Sequence, residues 1–497
     1  MAKRKRDDRP EAAPTSKSQN ESTKVAKLDN STDVKTIPPV IQIITGSYER
    51  ILHGITASLS LHPDDVKSKA TPQSTTFSDS FLFNAHASSI RCLALSPLPP
   101  PGSSDNQGVF LATGGSDEKI NVFSLSTSPV AHDRGFPVLP SLSTNAISEN
   151  PRNRELGTLL HHSSNITALH FPTRSKLLSA SEDNTIAVTR LKDLTVVSTV
   201  KAPRPKVLGQ PSGDTAPPGA TPAGVNDFAV HPSMKLMVSV GRGERCMRLW
   251  NLVTGKKAGV LNFSREMLQS VREGKYSSGE GRRIEWNPAG TEFAVAFERG
   301  VVIFGDDSKP KAKILPSPLT KVHKIAYVAL RNSGNEELAV LAVSTEDGKV
   351  LFYTSDESIS PKNDKNPVED TISDATLLGH LGGKDGGVTT RIKDFEILDF
   401  GSTSPGPANL VVVTASSDGA IRLFSVMGKD LVNMNKEGGS FQVGQLIGLY
   451  ETGNRITCLK AFVMLPPSDE EQGAVEDFEG LSPTDQEDET GDDEDSD

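Results

Sequence analysis

A short strand of alternating apolar and polar residues recurs seven times along this chain, and this repeat restricts the fold more than any other feature. The spacings between equivalent apolar positions are 76, 59, 56, 41, 70 and 64 residues, measured at Leu93, Leu169, Phe228, Ile284, Ile325, Phe395 and Leu459. The shortest spacing matches the roughly 40–45 residues of one β-propeller blade, and the longer spacings require insertions.

Second and third strands follow most of these first strands across tight polar turns. The clearest examples are Leu111–Asp117 followed by Ile120–Phe123, and Val412–Asp418 followed by Ile421–Phe424. Short alternating strands around Asp and Gly turns are typical of antiparallel sheet. The sequence therefore predicts an all-β, seven-bladed propeller of the WD40 type. The Pro-, Ser- and Gly-rich insertions are expected as surface loops, at 97–108, 126–154, 203–224, 355–374 and 401–408.

The ends of the repeat predict how the ring closes. The seventh repeat has a first strand at 456–463, and its remaining strands are missing before Pro466. Three unassigned strands precede the first repeat, at 41–44, 50–55 and 77–83. We expect these N-terminal strands to complete the seventh blade, because closure of the ring removes exposed strand edges.

Charge divides the 497 residues into three predicted segments. Residues 469–497 hold 15 Asp or Glu and no Lys or Arg, and residues 1–37 carry a net charge of +3. Both tails lack apolar periodicity and are predicted to be disordered, on either side of a propeller at 38–468 with a net charge of +2. No apolar run approaches the roughly 18 residues of a membrane span, and the three cysteines are far apart. An intracellular, soluble protein is expected.

Three blades carry a His, a Ser or Thr and an Asp at similar positions. The three sets are His86, Thr113 and Asp117 in blade one, His162, Ser179 and Asp183 in blade two, and His380, Thr414 and Asp418 in blade six. Such a set has the composition of a hydrolase triad, but a catalytic nucleophile occurs once and this set recurs. We therefore interpret the three sets as hydrogen bonds within each blade that satisfy buried polar groups. The sequence contains no metal motif and predicts a protein that is not an enzyme and uses no cofactor.

The tails carry two candidate signals. The cluster Lys3, Arg4, Lys5 and Arg6 is predicted to direct nuclear import, the alternative being a solvated run of charge. Ser468 and Thr484 precede acidic residues and fit sites for acid-directed kinases.

Several longer segments resemble one known family, the p21-activated-kinase-interacting and maintenance-of-killer WD-repeat proteins. The most specific is Ile44–Gly54 (ITGSYERILHG), and others are His161–Phe171 (HHSSNITALHF), Ile284–Pro288 (IEWNP) and Val413–Gly419 (VTASSDG). The matches run in family order from about residue 41 to 465. The loop insertions are of the kind that fungal members carry, and the acidic C-terminal tail replaces the Lys-rich tail of many relatives.

The resemblance implies a biological role but no catalytic activity. It implies a non-enzymatic scaffold in the nucleus and nucleolus that binds pre-60S ribosomal particles, through ribosomal or ribosomal-like proteins and pre-rRNA, and supports pre-rRNA processing. The alternative is a negative regulator that binds a p21-activated kinase. An adaptor of a ubiquitin ligase is disfavoured because Asn251 follows Trp250 in place of the usual Asp. Neither a membrane nor a small-molecule substrate is expected as a partner.

Overall fold

The computed structural model describes ten segments of the chain. They are residues 39–59, 75–99, 108–130, 147–203, 224–274, 277–331, 337–356, 372–400, 409–433 and 441–465. All of them lie within the predicted propeller segment. The predicted tails, the import cluster Lys3–Arg6, Ser468, Thr484 and most of the predicted insertions lie outside the described residues.

The described secondary structure is almost entirely strand. In chain order, the first strands are β1 (Val40–Ser47), β2 (Ile51–Leu59), β3 (Thr75–Asn84), β4 (Ile90–Leu95), β5 (Val109–Gly115), β6 (Ile120–Leu125), β7 (Arg154–Leu159), β8 (Ile166–Thr173), β9 (Lys176–Ser181) and β10 (Thr185–Arg190). Next come β11 (Thr195–Lys201), β12 (Val225–Val230), β13 (Leu236–Gly241), β14 (Cys246–Asn251), β15 (Lys256–Asn262), α1 (Arg265–Ser270), β16 (Arg283–Trp286), β17 (Glu292–Ala296), β18 (Val301–Gly305) and β19 (Pro310–Ile314). The last are β20 (Val322–Arg331), β21 (Glu337–Thr345), β22 (Lys349–Thr354), β23 (Ser373–Asp374), β24 (Thr376–Gly382), β25 (Ile392–Asp399), β26 (Asn409–Ser416), β27 (Ala420–Met427), α2 (Gly428–Asn433), β28 (Gln445–Glu451) and β29 (Ile456–Val463).

These strands form seven sheets, and the prediction of a seven-bladed propeller is confirmed. Blades one to three are β4–β7, β8–β11 and β12–β15, and blades four to six start at β16, β20 and β25. The first strand of each blade contacts the first strands of its two neighbours, so these strands form a ring around the central channel. Each of the two described helices has six residues and is too short to cross a membrane.

Blade seven joins the two ends of the propeller, as the sequence predicts. Its strand order is β29-β1-β2-β3, and β29 pairs antiparallel with β1 from Ile41 opposite Val463 to Ser47 opposite Ile456. Ile41, Ile43 and Ile44 are completely buried in this blade. Burial of each such side chain contributes about 1.5–3 kcal/mol, so the N-terminal strands are part of the core.

Polar side chains fasten adjacent blades to one another around the channel. The carboxylate of Asp227 accepts a hydrogen bond from the Ile284 N–H of the next blade at 3.1 Å, and the carboxylate of Asp394 accepts one from the Leu459 N–H at 2.8 Å. Thr457 Oγ1 donates to the Ile90 carbonyl at 2.6 Å and thereby links blade seven to blade one. These bonds fix the spacing of the first strands, and hence the shape of the channel.

Several outer edges of the blades are covered by the blade that follows in the ring. In blade five, the connection between the third and fourth strands contains β23, which pairs in parallel with β19 of blade four. The matching connection of blade six bonds to the outer strand of blade five, where Val443 N–H donates to the His380 carbonyl at 2.7 Å. The connection of blade one reaches blade seven, where Ser148 N–H donates to the Asp79 carbonyl at 2.8 Å. These contacts satisfy backbone groups that would otherwise offer an edge for aggregation.

The closure predicts the effect of an N-terminal truncation. Deletion of residues 1–84 leaves blade seven with β29 alone of its four strands. We expect an insoluble or molten product, because the buried faces of blades six and one lose their cover. Size-exclusion chromatography and thermal unfolding of the 85–497 fragment provide the measurement.

The matched control is deletion of residues 1–37, which should leave the melting temperature almost unchanged because this segment has too little apolar content to contribute to a core. A soluble 85–497 fragment with cooperative unfolding would show that the exchanged strands are dispensable.

Candidate functional site

The structure brings together the predicted polar set of blade one. His86 Nδ1 lies 2.9 Å from Asp117 Oδ1, and His86 Nε2 lies 2.8 Å from Thr113 Oγ1. Asp117 also accepts a hydrogen bond from the Ala87 N–H at 2.9 Å. Burial opposes its ionisation, but the bonds from Ala87 and His86 hold the pKa of Asp117 below its ordinary value. An ionised carboxylate can only accept, so His86 Nδ1 is the donor of this pair.

Blade two has the same arrangement with one addition. His162 Nδ1 lies 3.0 Å from Asp183 Oδ2, and His162 Nε2 lies 2.8 Å from Ser179 Oγ. Thr185 Oγ1 donates to Asp183 Oδ1 at 2.6 Å. Against the effect of burial, His162 and Thr185 lower the pKa of Asp183. The ring of the second histidine, His161, lies against that of His162 at a tilt of 47°, with 4.3 Å between the ring centroids.

The position of the hydroxyl groups decides between a structural and a hydrolytic role for these two sets. Thr113 and Ser179 are completely buried, with 0% of their surface exposed. A nucleophile must reach its substrate, and these hydroxyl groups cannot. The two sets therefore act as hydrogen-bonded supports of their blades.

The predicted set of blade six is wrong, because His380 does not belong to that blade. His380 lies in β24, the outer strand of blade five, opposite Leu351. The position that His86 holds four residues before Ile90 is taken in blade six by Val388, four residues before Ile392, and Val388 is completely buried.

The cause of this shift is a glycine-rich turn between β24 and β25. Gly382, Gly383 and Gly387 have φ values of 77°, 77° and 73°, a left-handed conformation that favours glycine. The turn adds residues between the histidine and the first strand, so a motif counted along the sequence is displaced in space.

Other residues replace the missing histidine. Thr414 Oγ1 donates to the Arg422 carbonyl at 3.2 Å, and Asp418 lies 3.6 Å from the Arg422 guanidinium. In blade three, Glu244 pairs with Arg248, and Trp250 Nε1 donates to Ser239 Oγ at 2.8 Å. The buried polar groups at this position are thus hydrogen-bonded by different residue types in different blades.

Substitution of the turn aspartates tests this interpretation. Asp117→Ala and Asp183→Ala should each lower the free energy of unfolding by about 1–3 kcal/mol, because each leaves a buried imidazole without its acceptor. Asp418→Ala should cost about 0–1 kcal/mol, because the Asp418 side chain is 31% exposed and its charged partner is an arginine at 3.6 Å. Chemical denaturation of the three variants provides the comparison.

Acid provides a second readout. The lowered pKa values of Asp117 and Asp183 stabilise the fold above the ordinary carboxyl pKa of about 3.9. The difference in free energy of unfolding between wild type and Asp117→Ala or Asp183→Ala should therefore shrink as the pH falls below that value. If Asp418→Ala lowered the free energy of unfolding as much as the other two substitutions, the conclusion that blade six lacks the buried His–Asp pair would be wrong.

A cavity of about 670 Å³ lies at the end of the ring where the first strands begin, and we call it the mouth. It is lined by Tyr48, Ser89, Ile90, Arg91, Ser116, Thr167, Glu182, Asn226, Arg242, Glu280, Arg282, Arg283, Val322, His323 and Thr457. Most of these side chains are polar or charged, and they come from the first strands and turns of six blades. The mouth is therefore a composite site that no single repeat contains.

Cations dominate the electrostatics of the mouth. Burial and then the nearby Lys393, Arg391, Arg283 and Lys321 lower the pKa of His323 to about 4. Burial, Arg391 and Arg455 also lower the pKa of Lys393. Burial is the largest cause of both shifts and the neighbouring cations add to it, so a further positive charge is unfavourable here.

Ion pairs join neighbouring blades at the edge of the mouth, and we call the charged residues along this edge the rim. Glu182 lies 3.2 Å from Arg91 and 3.5 Å from Arg242, so one carboxylate joins blades one, two and three. Glu298 likewise lies 3.1 Å from Lys321 and 3.8 Å from Arg282. Lys393 and Arg455 lie beside the cavity, and among the described residues no carboxylate lies within 4 Å of their side-chain nitrogens, although Glu346 acts on Lys393 from farther away.

Below the mouth, the channel wall contains a charged network. Lys324 Nζ lies 2.6 Å from Asp394 and 3.7 Å from Glu396, and Lys460 Nζ donates to Glu396 at 2.9 Å. Burial alone would lower the pKa of Lys324, but Asp394 and Glu396 raise it. Lys324 therefore stays charged and links blade five to blade six.

Glu285, in β16 of blade four, also faces this part of the channel. Its surface is exposed to the channel, and the partial loss of solvation there raises the pKa of Glu285 to about 7. Asp227 and Glu396 add repulsion, and Lys460 and Lys324 oppose it. Ionisation of Glu285 is therefore less favourable in the folded protein than in the unfolded chain.

This shift predicts a pH-dependent variant. The folded-state pKa of Glu285 lies above the ordinary glutamate value of about 4.3, so the folded protein loses stability as the pH rises between the two values. Glu285→Gln should melt above the wild type at pH 8, and the gain should shrink towards pH 4.5. Thermal unfolding across this range provides the measurement.

Glu396→Gln is the matched control. It removes the negative charge that pairs with Lys460 and Lys324 and should lower the melting temperature at neutral pH. A Glu285→Gln gain that does not vary with pH would contradict the titration.

The mouth and the charged channel wall are absent from the predictions made from the sequence. A signal was present: the first strands KIAYV, IKDFEI and TCLKAF carry charged residues between apolar ones. Their partners lie on other blades, so the network is visible only in the ring. Within the described residues, no group of three or more His, Cys, Asp or Glu side chains is arranged to hold a metal ion.

Comparison with known proteins gives a consistent result. The family model of the WD domain, G-beta repeat, matches residues 153–188, which extend from β7 into β10. Protein MAK11 of Saccharomyces cerevisiae is 28% identical, over 84% of this chain and 82% of the relative. The p21-activated protein kinase-interacting protein 1-like of Danio rerio is 26% identical, over 84% of this chain and 80% of the relative. The Shk1 kinase-binding protein 15 of Schizosaccharomyces pombe is 23% identical, over 72% of this chain and 80% of the relative.

The similarity to these relatives extends over 72–84% of the chain. The resemblance is therefore confirmed, and the chain is a WD-repeat β-propeller protein similar over most of its length to the maintenance-of-killer and p21-activated-kinase-interacting proteins.

Proposed function

We propose that this protein is a non-enzymatic scaffold in the nucleolar assembly of the large ribosomal subunit. The observation that carries the proposal is the mouth, where cations from several blades converge on a rigid, open cavity. A pre-ribosomal particle is rich in phosphate and presents many anionic docking points. A ring held by bonds between blades offers such a particle a surface that does not need to reorganise.

A scaffold role fits the polar chemistry of the described residues. The His–Ser/Thr–Asp sets of blades one and two are buried supports, and the accessible charged residues form a docking surface instead of a reaction centre. Partners of the mouth would be pre-rRNA and the ribosomal or ribosomal-like proteins of the particle. Entry into the nucleus would depend on the cluster Lys3–Arg6.

A kinase-binding role is the second candidate. It is favoured by the names of two relatives, one called a p21-activated protein kinase-interacting protein and one a Shk1 kinase-binding protein. In that role, the protein would act as a negative regulator and would need a protein interface.

Affinity purification separates the two candidates. We expect the tagged full-length chain to recover precursors of the large-subunit rRNA together with large-subunit ribosomal proteins. The recovery should fall when Lys393 and Arg455 are both replaced by Gln, because two cations beside the mouth are lost, neither of which forms an ion pair with a described carboxylate. The double variant Lys192→Gln/Lys256→Gln, in the turn before β11 and at the start of β15, is the matched control.

Recovery of a p21-activated kinase without rRNA precursors would overturn the scaffold proposal in favour of the second candidate.

A further inference from the structure

We infer that the mouth binds a single-stranded RNA segment, with one base stacked on Tyr48. This inference rests on the proposed function and names the component of the particle that the mouth contacts. Three features of the described residues carry it: an exposed aromatic platform, a guanidinium-rich rim and the size of the cavity.

Tyr48 is the aromatic platform. It lies in the turn between β1 and β2, lines the mouth, and 59% of its surface is exposed. Arg455 packs over its ring, with the guanidinium carbon 5.5 Å from the ring centroid. An exposed aromatic ring beside an arginine is the arrangement on which proteins stack unpaired bases.

The platform is held in place before any ligand arrives. The Tyr48 N–H donates to the Arg455 carbonyl at 2.9 Å, and the Arg455 N–H donates to Glu49 Oε2 at 3.0 Å. These bonds join the β1–β2 turn to the turn before β29. A base can therefore stack without the cost of ordering a loop.

Arginines make up most of the cationic rim. Arg91, Arg242, Arg282 and Arg283 line the cavity, and Arg391 acts on the pKa of His323 from the next blade. The planar guanidinium matches the geometry of phosphate, and it can bridge two oxygens. Phosphates on either side of a stacked base would meet this rim.

The size of the cavity favours a single strand. At about 670 Å³, the mouth has the volume of a small-ligand pocket and admits a few nucleotides. A duplex keeps its bases stacked inside and offers mainly backbone and a shallow groove. An acidic protein segment could pair with the arginines in place of their present carboxylates, but its acidic side chains have no flat ring to stack on Tyr48, so RNA is the better occupant.

Binding of three probes to the full-length protein tests the inference. The probes are a fluorescent uridine 12-mer, a 12-base-pair RNA duplex and a poly-glutamate 12-mer, measured by fluorescence anisotropy at several salt concentrations. We expect the uridine 12-mer to bind most tightly. Tyr48→Ala should weaken it about 5- to 150-fold, whereas Tyr48→Phe should bind like the wild type because the ring remains.

The salt dependence of binding provides an independent test of the cations beside the mouth. Lys393→Gln/Arg455→Gln should reduce the salt dependence of uridine 12-mer binding, by about 0.7 in log–log slope for each phosphate that the variant no longer neutralises. The control Lys192→Gln/Lys256→Gln changes the same net charge away from the mouth and should leave the slope unchanged. Melting temperatures identify any variant that fails to fold.

Two outcomes would overturn the inference. One is equal binding of the uridine 12-mer by wild type and Tyr48→Ala, with both proteins folded. The other is tighter binding of the duplex or of poly-glutamate than of the single strand. If rRNA precursors still co-purify with the chain in either case, the scaffold proposal stands and only the assignment of the mouth fails.

Discussion

The antiparallel pairing of β29 with β1 is the contact on which the rest of the propeller depends. It joins the last described strand to the first, and the six other blades lie between them in the chain. Because each blade packs on two neighbours, a ring without this pairing would have two open faces. The charged contacts of the channel and the cavity of the mouth both require a closed ring.

Polar side chains in this protein divide into two groups with different roles. His86 and His162 are buried within single blades together with the hydroxyl groups of Thr113 and Ser179, where they satisfy one another and cannot reach a ligand. The charged residues at the starts of the first strands point into the mouth or the channel. The proposed recognition surface therefore lies on the axis of the ring, and the polar sets farther out support the blades.

The insertions also have a structural role where they are described. The connections of blades one, five and six each add backbone hydrogen bonds to the outer edge of the preceding blade. An edge that is already paired does not attract another chain. The mouth can thus act as a docking surface on a ring whose neighbouring surfaces are partly closed to strand addition.

The sequence by itself determined the repeat, the strands and the ring closure, because alternation of apolar and polar residues is a local property of each strand. It also located the histidines that stand four residues before Ile90 and Ile166. Only the tertiary structure decided that Val388 takes this place in blade six, because a glycine-rich turn changes the count between strands. The mouth was decided by the tertiary structure too: its residues come from six blades, and their meeting depends on the geometry of the ring, which no local pattern encodes.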